Sequence, residues 1–303
     1  MKFVAAWAGF LGTLWLVRRA FQMLSSKATK APTATLESNA RVRSPSLKLP
    51  PTLHYEKKGH IAVVTFNRPE SMNALTVEML GAMDAAFADF DADPDLWVAI
   101  LTGAGDKAFT TGMDLKEAIP SLGEGEEMGY EDHTKRPFSD VFKPIIGAVN
   151  GYCLAGGLEF LQGTDLRIAA EHATFGLSEV RWGVIPTGGS HVRLPRQIPW
   201  AIAMELLLTG QSIDAQRAYE VGLVNRVVPA EEVMTTALEL AELICRNGPL
   251  AVRTAKEIAV RGLALEGPFV LEKAMGERVF ASEDFKEGPR AFAEKRAPRF
   301  KGR

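Results

Sequence analysis

Strand-like apolar runs alternate with helical periodicity through most of this chain, and the last quarter carries helical periodicity alone. That order predicts a layered α/β core followed by a helical C-terminal region. Several of the strand candidates run into glycine-bearing loops, which in such folds places functional groups at the strand C-termini. A hydrophobic content of 47% and a charged content of 24% over 303 residues fit a globular chain with a sizeable core.

The N-terminal segment reads differently from the rest. Residues 3–17 form a low-polarity run of 15 residues followed by Arg18-Arg19, short of the ~20 residues a membrane helix needs. Membrane contact through 3–17, a mitochondrial or other targeting sequence, and a start placed too far upstream are the competing readings. Residues 25–51 are rich in Ser, Thr, Lys, Arg and Pro and read as a disordered linker. Residues 1–50 hold eight of the 35 Lys/Arg and one of the 37 Asp/Glu, a net +7. The remainder, with 27 basic and 36 acidic residues, carries −9, which argues against nucleic acid as a partner of the folded part. Two cysteines, Cys153 and Cys245, make no disulfide framework. A reduced compartment follows, cytoplasmic for the folded core, with a mitochondrial or membrane-tethered alternative through residues 1–30.

The folded region is expected from Thr52, as an α/β core over 52–248 and a helical region over 249–303. Leu53–Lys57 and His60–Phe66 are strand candidates joined by a hairpin at Lys58-Gly59. Ala74–Asp91 places Leu75, Met79, Leu80, Met83, Phe87 and Phe90 at helical spacing. Val98–Thr102 is a short buried strand, and Phe109–Asp114 reads as a loop leading into a helix. Residues 121–140, with their Gly, Glu and Asp, read as a mobile segment. Ile145–Val149 is a strand ending at the turn pair Asn150-Gly151, and Ala155-Gly156-Gly157 opens a short helix carrying Glu159. Leu166–Ala170 is a strand leading to a loop with Glu179, and Pro186-Thr187-Gly188-Gly189 opens the next element. A helix at Ala201–Thr209 and a strand at Leu223–Val228 follow. Helices are expected at 231–246, 250–262, 268–281 and 288–295.

Several chemistries are disfavoured by their missing parts. Val98–Ala108 imitates a dinucleotide fingerprint, but Phe109-Thr110-Thr111-Gly112 interrupts the helix that should follow. Neither a P-loop nor a G-x-S-x-G elbow occurs, which leaves Ser190 beside His191 a weak nucleophile. The five histidines are scattered, so a zinc site is not expected. Glu159 alone reads as a solvated helix residue and Glu179 as a surface loop residue. Context raises both, because a glutamate one turn into a glycine-led helix lies near free N–H groups that can hold an oxyanion.

Ordered motifs across about 250 residues carry a resemblance. They are Asn67-Arg68-Pro69 with Asn73-Ala74-Leu75, Lys107-Ala108-Phe109 with Gly112-Met113-Asp114, Asn150-Gly151-Tyr152, and Gly156-Gly157-Leu158-Glu159. Phe175-Gly176-Leu177-Ser178-Glu179, Gly183-Val184-Ile185-Pro186, Glu287-Gly288 and Phe292-Ala293-Glu294-Lys295-Arg296 continue the series. From about Leu53 onward the chain resembles the enoyl-CoA hydratase/isomerase (crotonase) family.

The resemblance implies a crotonase-like spiral of ββα units with a C-terminal helical trimerisation region, and a homotrimer or hexamer. It implies an acyl-CoA thioester substrate, no metal and no separate cofactor, coenzyme A being part of the substrate. The backbone N–H groups of Met113 and Gly156 match the oxyanion hole, and Ala108, Met113, Asp114, Leu115, Lys116 and Gly156 match the CoA-binding positions. Glu159 and Glu179 match the paired catalytic glutamates of hydratases. The implied reaction is syn addition of water to a trans-2-enoyl-CoA, or its reverse, with Glu159 activating water and Glu179 protonating Cα. Isomerisation of an enoyl-CoA or another acyl-CoA reaction on the same scaffold, such as dehydration of a hydroxyacyl-CoA, and a non-catalytic binding or membrane-tethered scaffold are the alternatives. Departures from the family pattern are Ala155 in place of a third glycine, Cys153, the segment 119–143, Trp182 and His191, so the acyl group stays open.

Overall fold

The computed structural model describes residues 47–114, 116 and 132–303, all in one compact unit that begins at Leu47. The apolar run 3–17, most of the basic linker, Leu115, the helix expected after Asp114 and residues 121–131 lie outside the described residues. Among those described, no helix is long and apolar enough to cross a membrane.

The chain winds through two sheets. Strands β1 (Leu53–Lys58), β2 (Ile61–Phe66), β3 (Val98–Gly103), β5 (Ile145–Val149), β7 (Leu166–Ala170) and β10 (Arg226–Val228) form a six-stranded sheet in that order. Strands β4 (Ala108–Thr110), β6 (Tyr152–Leu154), β8 (Thr174–Gly176) and β9 (Ser212–Asp214) form the other. The β1–β2 and β8–β9 pairs are antiparallel and the remaining neighbours parallel. In three successive turns a large-sheet strand is followed by a small-sheet strand, β3 to β4, β5 to β6 and β7 to β8. The mostly parallel large sheet explains why β3 and β5 read as unbroken apolar runs, since every residue of both is buried.

The turns stack closely. Asn150 Nδ2 donates to Gly103 O at 2.9 Å and Gly105 O at 2.6 Å, fastening one corner to the corner below. A Cβ on Gly151 would collide with the Lys107 carbonyl, so the Asn-Gly pair is set by this approach as well as by turn geometry.

Helix α1 (Val77–Ala92) packs beside β1 and β2 and begins three residues later than its periodicity predicts. Thr76 caps it by accepting from the Met79 N–H at 3.1 Å, while Asn73 takes a left-handed φ of 54° that ends the preceding turn. After α2 (Gly156–Gln162), α3 (Ser190–Gln197), α4 (Trp200–Thr209) and α5 (Ala215–Glu220), helix α6 (Val233–Cys245) covers β3, β5 and β7. Helices α7 (Pro249–Gly262), α8 (Glu266–Phe280) and α9 (Glu283–Ala293) complete the chain, with α8 packing on α3.

Four expectations change. Phe109–Asp114 is not a plain loop, because its start is strand β4. The stretches after Asn150-Gly151 and Ala170 contain strands β6 and β8. Strand β9 and helix α5 fill a region without an expected element. Of the segment expected to be mobile, residues 136–138 are packed: Arg136 and Pro137 are buried and Phe138 lies 4.4 Å from Phe87, ring centre to ring centre.

Candidate active site

The exits of three of the four small-sheet strands, β4, β6 and β8, converge. After β4 the chain passes Gly112 and Met113, and Met113 bridges to Leu75. After β6 it passes Ala155, whose φ of 50° and ψ of −125° swing the chain into α2 at Gly156. These two loops touch. A Cβ on Gly112 would lie 2.9 Å from the Gly156 nitrogen, and one on Gly156 would lie 3.9 Å from the Met113 nitrogen. Among the described residues neither N–H has a hydrogen-bond acceptor. The glycine pair also has a packing reason, since a Cβ on Gly157 would collide with the Thr110 carbonyl.

A tie from the N-terminal hairpin fixes the Met113 loop. Arg68 donates from Nη1 and Nη2 to Asp114 Oδ2, both at 3.1 Å, and from Nη1 to Ala74 O at 2.7 Å. Asn73 is 1% exposed; it accepts from the Arg68 N–H and donates to Ala104 O and Ala108 O. Asp114, expected at the CoA-binding edge, therefore points its carboxylate at Arg68. The exposed Lys116 donates its N–H to Asp114 Oδ1 at 3.1 Å, and Ala108 is buried in β4.

The sequence leaves open which face of α2 holds Glu159; the structure buries it to 8% exposure. Its Oε1 accepts from the Gly188 N–H at 2.6 Å and from the Ser190 N–H at 3.4 Å. Burial pushes its carboxyl up to about 8, the negative charges of Glu179 and Glu272 push the same way, and the two N–H groups oppose them. Glu179 opens a 3₁₀ turn (Glu179–Trp182) after β8 and is half-buried, with Oε2 enclosed and unpartnered among the described residues. Burial pushes it up to about 7. Two neighbouring carboxyls thus titrate in the neutral range, a property that clusters at sites of proton transfer.

Ser190 and His191 do not form a nucleophile–base pair. Ser190 Oγ is fully buried and accepts from Gln162 Nε2, whereas His191 Nδ1 lies 3.3 Å from Glu272 Oε1. Trp182 packs edge-on against Phe292 of α9 at 4.8 Å. Among the described residues no cluster of three or more His, Cys, Asp or Glu is arranged to hold a metal ion. Sequence reasoning missed the buried Arg136–Glu272 pair, whose members stand 136 residues apart with no motif to link them.

Comparison with known proteins identifies the family. The sequence model of the "Enoyl-CoA hydratase/isomerase" family matches residues 56–303. The chain is 47% identical over 257 residues to the enoyl-CoA hydratase EchA19 of Mycobacterium tuberculosis (strain ATCC 25618 / H37Rv), covering 82% of this chain and 96% of that protein. It is 40% identical over 259 residues to the carnitinyl-CoA dehydratase of Proteus mirabilis (strain HI4320), covering 83% and 99%. The crystal structure of carnitinyl-CoA hydratase from Mycobacterium avium superimposes with a TM-score of 0.76 at 37% identity, covering 84% of this chain and all of that one. The crotonase-like α/β fold and the family are therefore shared, and the chain belongs to the enoyl-CoA hydratase/isomerase family of enzymes.

Proposed function

We propose that the protein adds water syn across the 2,3 double bond of a trans-2-enoyl-CoA, or runs the reverse dehydration. The observation that carries this reading is the pair of neighbouring, enclosed glutamates, beside two touching loops whose Met113 and Gly156 N–H groups have no acceptor among the described residues. Relatives named as a hydratase and a dehydratase support water chemistry over a double-bond shift.

In hydration, ionised Glu159 takes a proton from water as its oxygen bonds to Cβ. The double-bond electrons move toward the thioester, whose oxygen takes up the negative charge. Protonated Glu179 then gives its proton to Cα, and the thioester carbonyl re-forms. The N–H groups of Met113 and Gly156 hold the charged oxygen; each such donor contributes about 2.7–4 kcal/mol to lowering the barrier. The step leaves the proton on Glu159 in place of Glu179, and exchange with solvent restores the starting state. The two coupled carboxyls share one proton near neutral pH; because Glu159 is raised further than Glu179, the reactive form, with the charge on Glu159 and the proton on Glu179, is the less populated arrangement of that proton in the free enzyme. The CoA moiety would run along Ala108 and the 113–116 loop. No metal or redox group is required.

The test is the decay of enoyl-thioester absorbance with crotonyl-CoA and longer trans-2-enoyl-CoAs, for wild type, Glu159→Gln and Glu179→Gln. Consumption by wild type and a loss of orders of magnitude in both variants is the expected result. Conversion of a 3-enoyl-CoA that survives loss of Glu159 would replace hydration with isomerisation.

A further inference from the structure

Three segments remote in sequence meet behind the Glu159 carboxyl. The first is the turn holding Arg136. The second is the 185–191 loop, which supplies the Gly188 and Ser190 N–H groups. The third is helix α8, which carries Phe269, Glu272 and Gly276. Arg136 Nε donates to Glu272 Oε2 at 2.9 Å, and the two side chains are 2% and 1% exposed. The rest of the guanidinium is used as well: Nη1 donates to His133 O and Lys135 O, and Nη2 to Phe269 O. The other Glu272 oxygen faces His191 Nδ1 at 3.3 Å.

The loop is seated on this pair. A Cβ on Gly189 would lie 3.2 Å from Arg136 Cγ and 3.3 Å from Phe269 Cε1. One turn further along α8, a Cβ on Gly276 would lie 3.4 Å from Thr187 Cγ2 and 3.5 Å from Ile185 Cδ1. Both sides of the residue that holds Glu159 are thus in contact with α8 or with Arg136. A buried ion pair is weak support for stability by itself, because desolvation consumes most of the Coulomb attraction. Its geometry here serves a different end.

We propose that Glu272 is a positioning residue: paired with Arg136 and in contact with His191, it fixes the 185–191 loop so that the Gly188 and Ser190 N–H groups hold the Glu159 carboxyl. This rests on the reading of Glu159 as a catalytic carboxyl. Glu272 also acts on that carboxyl through space, since its charge raises the proton affinity of Glu159 alongside that of Glu179. Arg136 and His191 are the charged and titratable groups in direct contact with Glu272, one on each carboxylate oxygen.

The test compares Glu272→Gln, the charge-free pair Arg136→Met/Glu272→Met and His191→Gln with wild type. The readouts are kcat, KM, the pH–rate profile on an accepted enoyl-CoA and the thermal midpoint. Glu272→Gln strands the Arg136 charge and lowers the midpoint. The methionine pair removes both buried charges and restores it, as replacement of buried ion pairs commonly does. The expected result is a kcat about tenfold or more below wild type in both, KM within about twofold, and a pH–rate profile shifted to lower pH. His191→Gln, which keeps a donor toward Glu272 on a partly exposed side chain, lowers kcat less than Glu272→Gln does; an equal loss with Glu272 intact would overturn the assignment of the positioning role to Glu272.

Wild-type kcat and an unshifted profile in the refolded methionine pair would overturn the proposal and leave Arg136 and Glu272 a purely structural pair. The control is Glu159→Gln. If that variant keeps full activity, the reading of Glu159 fails. If it is inactive while the methionine pair behaves as wild type, only the positioning role fails.

Discussion

Replacing Gly188 with alanine asks whether the placement of the Glu159 carboxyl, beyond its presence, governs the rate. The Gly188 backbone lies outside the left-handed region, so alanine brings no φ strain of its own. Its Cβ would stand 2.8 Å from Glu159 Oε2 and 2.9 Å from Cδ. Nonbonded carbon contacts settle at about 3.5 Å, so the carboxyl must retreat by about 0.6–0.7 Å. The contact also presses on Glu159 Cβ at 3.1 Å, and the strain costs the fold about 1–3 kcal/mol, a drop of about 2–12 °C in thermal midpoint. Catalysis tolerates it less, because reacting groups must sit within about 0.5 Å of their productive position and a 1 Å error costs about 10²-fold. The expected fall in kcat is about 30–100-fold, or about 2–3 kcal/mol of barrier. The retreat also lengthens the 2.6 Å bond from the Gly188 N–H that favours ionised Glu159, so the acid limb of the kcat profile moves up in pH. Enoyl-thioester absorbance across pH 5 to 9 reads both effects. A folded variant with wild-type kcat and an unmoved acid limb would refute the placement argument.

Other outcomes follow from the same geometry. Glu159→Gln and Glu179→Gln should each lower kcat by about 10²–10⁴-fold; wild-type kcat should trace a bell centred between about 7 and 8, where the pair holds one proton. Because the folded state raises the Glu159 pKa, stability from this group is whole below the usual carboxylate range and is lost as pH rises through about 8. Urea midpoints should therefore fall between pH 5 and 8.5, and Glu159→Gln should flatten that slope. Gly112→Ala, at a φ of 86° and with its Cβ 2.9 Å from the Gly156 nitrogen, should cost about 10²-fold in kcat as it parts the two N–H groups. Asn73→Ala leaves three backbone groups without their partner and should destabilise the fold by about 2–4 kcal/mol, read from chemical denaturation.

What could be read from the chain divides along physical lines. The inner strands of the large sheet are legible because burial on both faces writes them as largely apolar runs, as in Ile61–Phe66, Val98–Gly103 and Ile145–Val149. The four small-sheet strands are three residues each, too short to carry a period of two, and only register with neighbouring turns defines them. Both glutamates and both glycine loops lie in contiguous motifs, so resemblance finds them. The face of Glu159 was not legible, because Gly157 to Gln162 are all buried and no polar stripe marks an outside. The pairing of Arg136 with Glu272 is set by tertiary packing alone.

The stacked turns have a consequence for scale. Met113, Gly156 with Glu159, and Glu179 follow three neighbouring, mutually parallel strands of the small sheet, β4, β6 and β8, and neighbouring strands in any sheet lie about 4.8 Å apart. The backbone therefore works as a ruler graduated in steps of about 5 Å. Side chains at the graduations can be exchanged while hydrogen bonds between strands keep the intervals constant. A new reaction on this scaffold needs new groups at the marks and leaves the distances between them unchanged.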